Sequence, residues 1–210
     1  MSAVLHPRLF AALHRALHPL SSPPSGEAYN RDELRDILPV GLAPVPAAVL
    51  LGVVVREAVP RVLLTLRTGD LRHHAGQVSF PGGRLEAGDE GPLAAATREA
   101  WEEIGLPAAA VDPLGYLDPM LTITGFRVVP VVARIDPAFE PRPDPREVAE
   151  LFEVPFADLV APGNLASHDV HVGGRPRRVY EYVGPGAGGH RIWGATALIL
   201  HNLASRLENR

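Results

Sequence analysis

Residues 47–55 read AAVLLGVVV, an unbroken apolar and largely β-branched run with Pro44 and Pro46 on one side and Arg56 on the other. It is far shorter than the roughly 18 residues a spanning helix needs, so no membrane span is expected. Bounded this way, the run reads as a buried strand. The next apolar run, RVLLTLR at 61–67, is expected to pair with it, and the intervening REAVP is short enough for a hairpin. The chain is therefore organised around a sheet.

The remaining elements follow from spacing and breakers. Leu9, Leu13 and Leu17 form a helical stripe near the start, where the lack of acid before Glu27 is the one trait shared with transit peptides. His6, Pro7, Arg8, His14 and Arg15 interrupt any secretory signal. The Pro/Ser/Gly-rich residues 17–30 read as a loop, and 31–38 as a short helical turn. A helix is expected over 92–104, with Pro92 in its first turn and Gly105 ending it. Strands are expected at 113–117 and 126–135, with a loop over 136–147. Beyond it come a helical turn at 147–152, a short helix at 156–160, a hairpin from 170–172 and 179–183, and an amphipathic helix at 195–207. Helices and strands mixed without regular alternation predict an α+β fold with a mixed sheet. One domain is expected over 46–207, with 1–45 as a helical, Pro-rich extension.

Charge and cysteine content narrow the chemistry. Lys and Arg number 20 against 24 Asp and Glu, with no basic block, so no nucleic-acid partner is expected. The chain has no cysteine, which excludes disulfides, thiolate metal sites and a cysteine nucleophile, and fits an intracellular, cytoplasmic protein. Catalysis has to come from oxygen and nitrogen groups.

Those groups concentrate in REAWEEIGL at 98–106. On a helix Glu99, Glu102 and Glu103 share one face, where like charges repel unless a cation compensates. Leu93, Ala100 and Ile104, with Thr97 between them, give the opposite side an apolar surface for packing on a sheet. Hard divalent cations prefer such oxygen ligands, whereas the plainer alternative is a solvated acidic surface with Arg98 as local partner. Immediately upstream, Gly82 and Gly83 allow backbone to approach a ligand or metal closely.

Taken together, FPGGRLEAGDEGPLAAATREAWEEIGL resembles the Nudix box, whose second half it matches at every fixed position, with Trp101 at the free one. The first half carries one inserted residue, so Glu86, Asp89 and Glu90 all compete for the box's first acidic role, which ties the loop to the arginine. The resemblance implies an α/β/α sandwich with a mixed sheet and hydrolysis of a nucleoside diphosphate linked to another group, using Mg²⁺ or Mn²⁺. It further implies that Glu99 and Glu103 are the principal metal ligands, that Glu102 binds directly or through water, and that the Gly82 carbonyl joins them.

A second segment, LLTLRTGDLRHHAGQVSFPGG at 63–83, is similar to the extra signature of the coenzyme A pyrophosphatase branch, differing at Thr68. That branch also tends to carry a box lengthened by one residue. The implied substrate is coenzyme A, free, oxidised or acylated, with adenosine 3′,5′-bisphosphate and 4′-phosphopantetheine as products. Arg67, Arg72, His74 and Gln77 are the implied substrate contacts, and arginine suits bidentate phosphate binding. Glu99 is the first candidate for general base, with Glu147 or Glu150 as alternatives. ADP-ribose or another nucleoside diphosphate derivative is the rival substrate, and a catalytically dead binding module the rival class. Homodimerisation through the N-terminal 45 residues stays open. The glycine spacing of GPGAGG at 184–189 imitates a dinucleotide fingerprint, but Pro185 and the absence of a following helix read as a loop.

Overall fold

The computed structural model describes residues 5–39, 41, 43–69, 76–172 and 174–208. Its centre is β1 (Val45–Arg56), antiparallel to β2 (Val59–Arg67) and parallel to β7 (Phe126–Ile135). Around these three, β3 (Val78–Ser79) and β8 (Val148–Pro155) pair with β2, and β4 (Gly82–Arg84) pairs with β1. The strands β5 (Val111–Tyr116) and β6 (Met120–Leu121) pair with β7, completing an eight-stranded mixed sheet. A separate hairpin is formed by β9 (Leu165–Val172) and β10 (Arg175–Tyr182).

Both faces of the sheet are covered, which is why β1 is apolar from Val45 to Val55. Ala47, Leu51 and Val53 join one buried cluster, while Ala48, Leu50 and Val54 join another, following the period of two. The second cluster is closed by α3 (Pro92–Ile104), through Ala95, Ala96, Ala100 and Ile104. The first contains Leu13 and Leu17, from α1 (Leu5–Ala16) and just beyond it. It also contains Phe156 and Leu159 from α4 (Phe156–Val160), and Ile199, Leu200 and Leu203 from α5 (Ala195–Glu208). Burying each such Leu or Ile contributes roughly 2 kcal/mol. No helix among the described residues is long and apolar enough to cross a membrane.

Between β1 and β2 the turn residues Glu57 and Ala58 both have positive φ, 48° and 64°, the mark of a type I′ hairpin built without glycine. Residues 18–30 run along the outer side of β5 and β6. His18 exchanges two backbone hydrogen bonds with Tyr116, and the Tyr29 N–H donates to the Pro119 carbonyl. The buried Asn30 side chain both donates to the Leu121 carbonyl and accepts from its N–H, at 2.9 and 2.8 Å. The short α2 (Arg31–Leu34) follows.

The helical turn expected at 147–152 is instead the first part of β8. Its Glu, Ala and Leu suit a helix locally, but the open side of β2 supplies a ladder that outweighs this local preference. A bulge skips Ala149, since Leu66 pairs with Glu150 while Arg67 pairs with Val148. The expected strand at 113–117 lies two residues earlier at its start, and the hairpin strands expected at 170–172 and 179–183 are longer, as β9 and β10.

Candidate active site

The rigid helix α3 sets the geometry. Gly105, at φ 68°, ends it in the left-handed conformation, and Leu106 N–H bonds back to the Ala100 carbonyl. The Arg142 and Asp144 N–H groups take the Ile104 and Glu103 carbonyls, so the loop at 136–147 caps the helix from outside. The carboxylates of this last turn therefore project from a fixed frame.

Arg98 is the hub. Its Nε and Nη2 donate to both Asp89 oxygens, at 3.2 and 3.0 Å, and Nη2 also reaches the Arg84 carbonyl. Its Nη1 donates to Glu99 at 3.0 Å and Glu102 at 3.2 Å. Asp89 also accepts from the Glu86 N–H, so of the three competing acids it is Asp89 that ties the glycine loop to the helix. The Arg98 bond, with help from that N–H, holds Asp89 below the ordinary carboxylate range.

Glu99 lies against Gly83, where an added Cβ would stand 2.4 Å from its Oε1. A larger residue at 83 would push that carboxylate from this position. Glu103 is 2% exposed; its Oε1 accepts from Arg67 at 3.2 Å, and among the described residues its Oε2 meets no hydrogen-bond partner. Burial pushes Glu103 up to about 7, with Arg67 opposing and Glu99 and Glu147 adding repulsion. Burial also raises Glu99. Glu102, 53% exposed, faces solvent. At Gly82, φ 156°, an added Cβ would stand 2.4 Å from the Ala48 carbonyl, so glycine is required for β4 to lie on β1.

The bulge at Ala149 sorts the two later glutamates. Glu147 lies near Glu99 and Glu103 and raises both. Glu150 pairs with Leu66, bonds His190 at 3.2 Å, and belongs with Phe152, on which His190 stacks, to the opposite face. Of the sequence candidates, Glu99, Glu102, Glu103, Gly82 and Arg67 therefore come together. The Gln77 carbonyl accepts from Arg67 N–H at the base of the following loop, whereas Arg72 and His74 lie outside the described residues. The Arg67–Glu103 pair was not legible in sequence: 36 residues separate the partners, and only the sheet brings them together. GPGAGG is a packed turn, with the Gly186 N–H donating to the Tyr182 hydroxyl.

A buried oxygen without a partner beside a second carboxylate seated on glycine fits a hard divalent cation, which supplies the charge those oxygens lack. Among the described residues no three carboxylate or imidazole groups converge at metal-binding distance, and Arg98 and Arg67 pair with these carboxylates.

The family profile of the NUDIX domain matches residues 46–172. A protein of Citrobacter koseri titled "Uncharacterized Nudix hydrolase NudL" is 41% identical over 190 residues, covering 89% of this chain and 88% of that one. Its namesake in Photorhabdus laumondii is 40% identical over 162 residues, covering 77% and 84%. Among solved structures, the Nudix hydrolase RenU of M. smegmatis is 28% identical over 55% of this chain and 73% of its own, with a TM-score of 0.47. On the profile match and on relatives alike over most of their length, the chain belongs to the Nudix family of hydrolases, which act on small nucleotide derivatives and generally use divalent metal ions.

Proposed function

We propose that the enzyme hydrolyses the diphosphate bond of coenzyme A, in free, oxidised or acylated form, giving adenosine 3′,5′-bisphosphate and 4′-phosphopantetheine. One observation carries the reading: the 63–83 segment with the coenzyme A signature meets the acidic helix at both ends, through Arg67 on Glu103 and Gly83 beneath Glu99. The branch's other signature residues Arg72 and His74 fall between these two contacts in the sequence and lie outside the described residues.

In this reading Glu99 and Glu103 hold Mg²⁺ or Mn²⁺, with Glu102 at the rim and the Gly82 carbonyl beside them. When bound, such an ion neutralises charge developing on the diphosphate and lowers the pKa of water. Arg98 keeps Glu99 and Glu102 in place, and Asp89 keeps Arg98 in place. Glu99 takes the proton of the attacking water, with Glu147 as the alternative base; Glu150 points to the other face. Arg67, Arg72, His74 and Gln77 bind the diphosphate. Residues 46–207 form the hydrolase domain, 1–45 an extension, and the setting is cytoplasmic.

The test is hydrolysis of coenzyme A beside ADP-ribose and NADH, with Mg²⁺ or Mn²⁺, and products identified by mass spectrometry. Adenosine 3′,5′-bisphosphate is the expected nucleotide. Cleavage of ADP-ribose with coenzyme A intact would overturn the substrate while keeping the chemistry, and no cleavage of any would favour a binding module.

A further inference from the structure

A cleft of about 220 Å³ lies between residues 25–31 and the paired ends of β6 and β7, with Arg127 in its wall. The guanidinium is unusual in its partners. Nη2 donates to the Pro24 and Gly26 carbonyls at 2.8 and 2.9 Å, and among the described residues no carboxylate pairs with it and no partner meets Nη1 or Nε. Burial alone shifts Arg127, lowering its pKa, with no compensating anion. The other charged residues of the wall are Arg31 and Glu27, which pair with each other at 3.0 Å and are largely exposed. The cleft therefore carries an uncompensated positive charge whose orientation two carbonyls fix.

Its position follows from register. Arg127 pairs with Pro46, two residues from Ala48, which faces both Gly83 of β4 and Val129 of β7. Arg127 and Val129 share a face, and Val129 packs in the cluster beneath α3. The cleft thus lies on the face that bears Glu99, about 7 Å along the strand from the Gly83 level.

We propose that this cleft binds a phosphate group on the free edge of Arg127. A fixed, partly buried guanidinium favours a doubly charged oxyanion, for which it offers parallel N–H donors. The phosphate has two sources, a free ion or the substrate; coenzyme A carries its 3′-phosphate one ribose away from the diphosphate.

Inorganic phosphate titrated into the full chain without divalent metal should move the Arg127 Nε–H resonance saturably. Arg127→Gln should abolish the binding. Ser25→Glu, which adds a carboxylate to the exposed wall and keeps Arg127 with its carbonyl bonds, should weaken it about tenfold or more. An unmoved resonance in the unaltered protein overturns the proposal, and so does wild-type affinity in Arg127→Gln or, should that variant not fold, in Ser25→Glu.

The source is then decided by kinetics, the one step that rests on the coenzyme A reading. A KM raised about tenfold for coenzyme A and unchanged for dephospho-coenzyme A assigns the site to the substrate's 3′-phosphate. Both unchanged assigns it to the free ion, and an equal rise for both overturns the 3′-phosphate assignment. If coenzyme A is not cleaved at all, the phosphate titration still decides the cleft.

Discussion

Two arginine clusters clamp this fold, and they end differently. On one face Arg206 of α5 donates to both oxygens of Asp118, at 2.9 and 2.8 Å, and to the Ala16 carbonyl. His18 and Asn202 complete the Asp118 shell at 2.7 and 2.9 Å, so one carboxylate has several donors. On the other face Arg98 serves Asp89, Glu99 and Glu102, and Arg67 serves Glu103, so among the described residues carboxylates outnumber cations and Glu103 Oε2 is left over. The first cluster fully pairs its one carboxylate and ties residues 16–18 to α5, with only the neutral Asn202 Oδ1 unpartnered there among the described residues. The second is built with negative charge in excess, which costs stability and leaves oxygens for a ligand to satisfy.

The largest expected effect is at the excess. Glu103→Gln should lower turnover by roughly a thousandfold while the protein stays folded, measured as kcat against thermal denaturation. Retained activity would sink the assignment of Glu103 to the metal. In chelator above pH 7 the same variant should be more stable than the parent, by on the order of 1–3 kcal/mol, since it removes a buried charge.

Arg206→Ala should do the reverse. It leaves Asp118 partly buried without its main cation, costing about 1–3 kcal/mol in denaturant unfolding, while kcat of the folded protein holds. A large fall in kcat would show the two faces to be coupled.

The pH dependences should also oppose. Glu103 is raised from about 4.5 to about 7, so its contribution to stability is present below the unfolded value and lost as pH rises through the folded one. Burial pushes Asp118 upward, but hydrogen bonds from His18, Asn202 and Arg206 outweigh it and leave it lowered. Its contribution is present above the unfolded value, near 3.8, and lost as pH falls below it. Unfolding curves in chelator should lose the first limb in Glu103→Gln and the second in Asp118→Asn.

The smallest effect is a reference outside both clusters. Ala58→Gly should raise stability by roughly 1 kcal/mol through relief of positive φ in the β1–β2 turn, with activity unchanged. A change in activity would mean that the far end of the sheet communicates with α3.

What sequence could reveal here divides along the same line. Local signals were strong where one element decides the outcome: the 92–104 helix with its Gly105 stop, the helix at 156–160 and the 126–135 strand stand where spacing put them. The shared face of Glu99, Glu102 and Glu103 was likewise periodicity alone. Sequence failed where partners are distant. Nothing local makes 147–152 a strand, since the ladder comes from β2, and nothing local joins Arg67 to Glu103 or Arg127 to Pro24. The choice among Glu86, Asp89 and Glu90 needed the position of the Arg98 guanidinium.

The segment at 18–30 bears on aggregation. An open sheet edge is a template for another chain, and β5 and β6 would present one. Here His18 and Tyr29 occupy it with backbone, and the Asn30 amide closes it at Leu121, as a neighbouring strand would, without offering a strand of its own. Pro19, Pro23 and Pro24 carry no N–H, so this segment is a poor template for a further strand. A chain shortened to begin at residue 46 would keep every glutamate of the Nudix box yet expose that edge, and self-association through β5 and β6 is its expected fate.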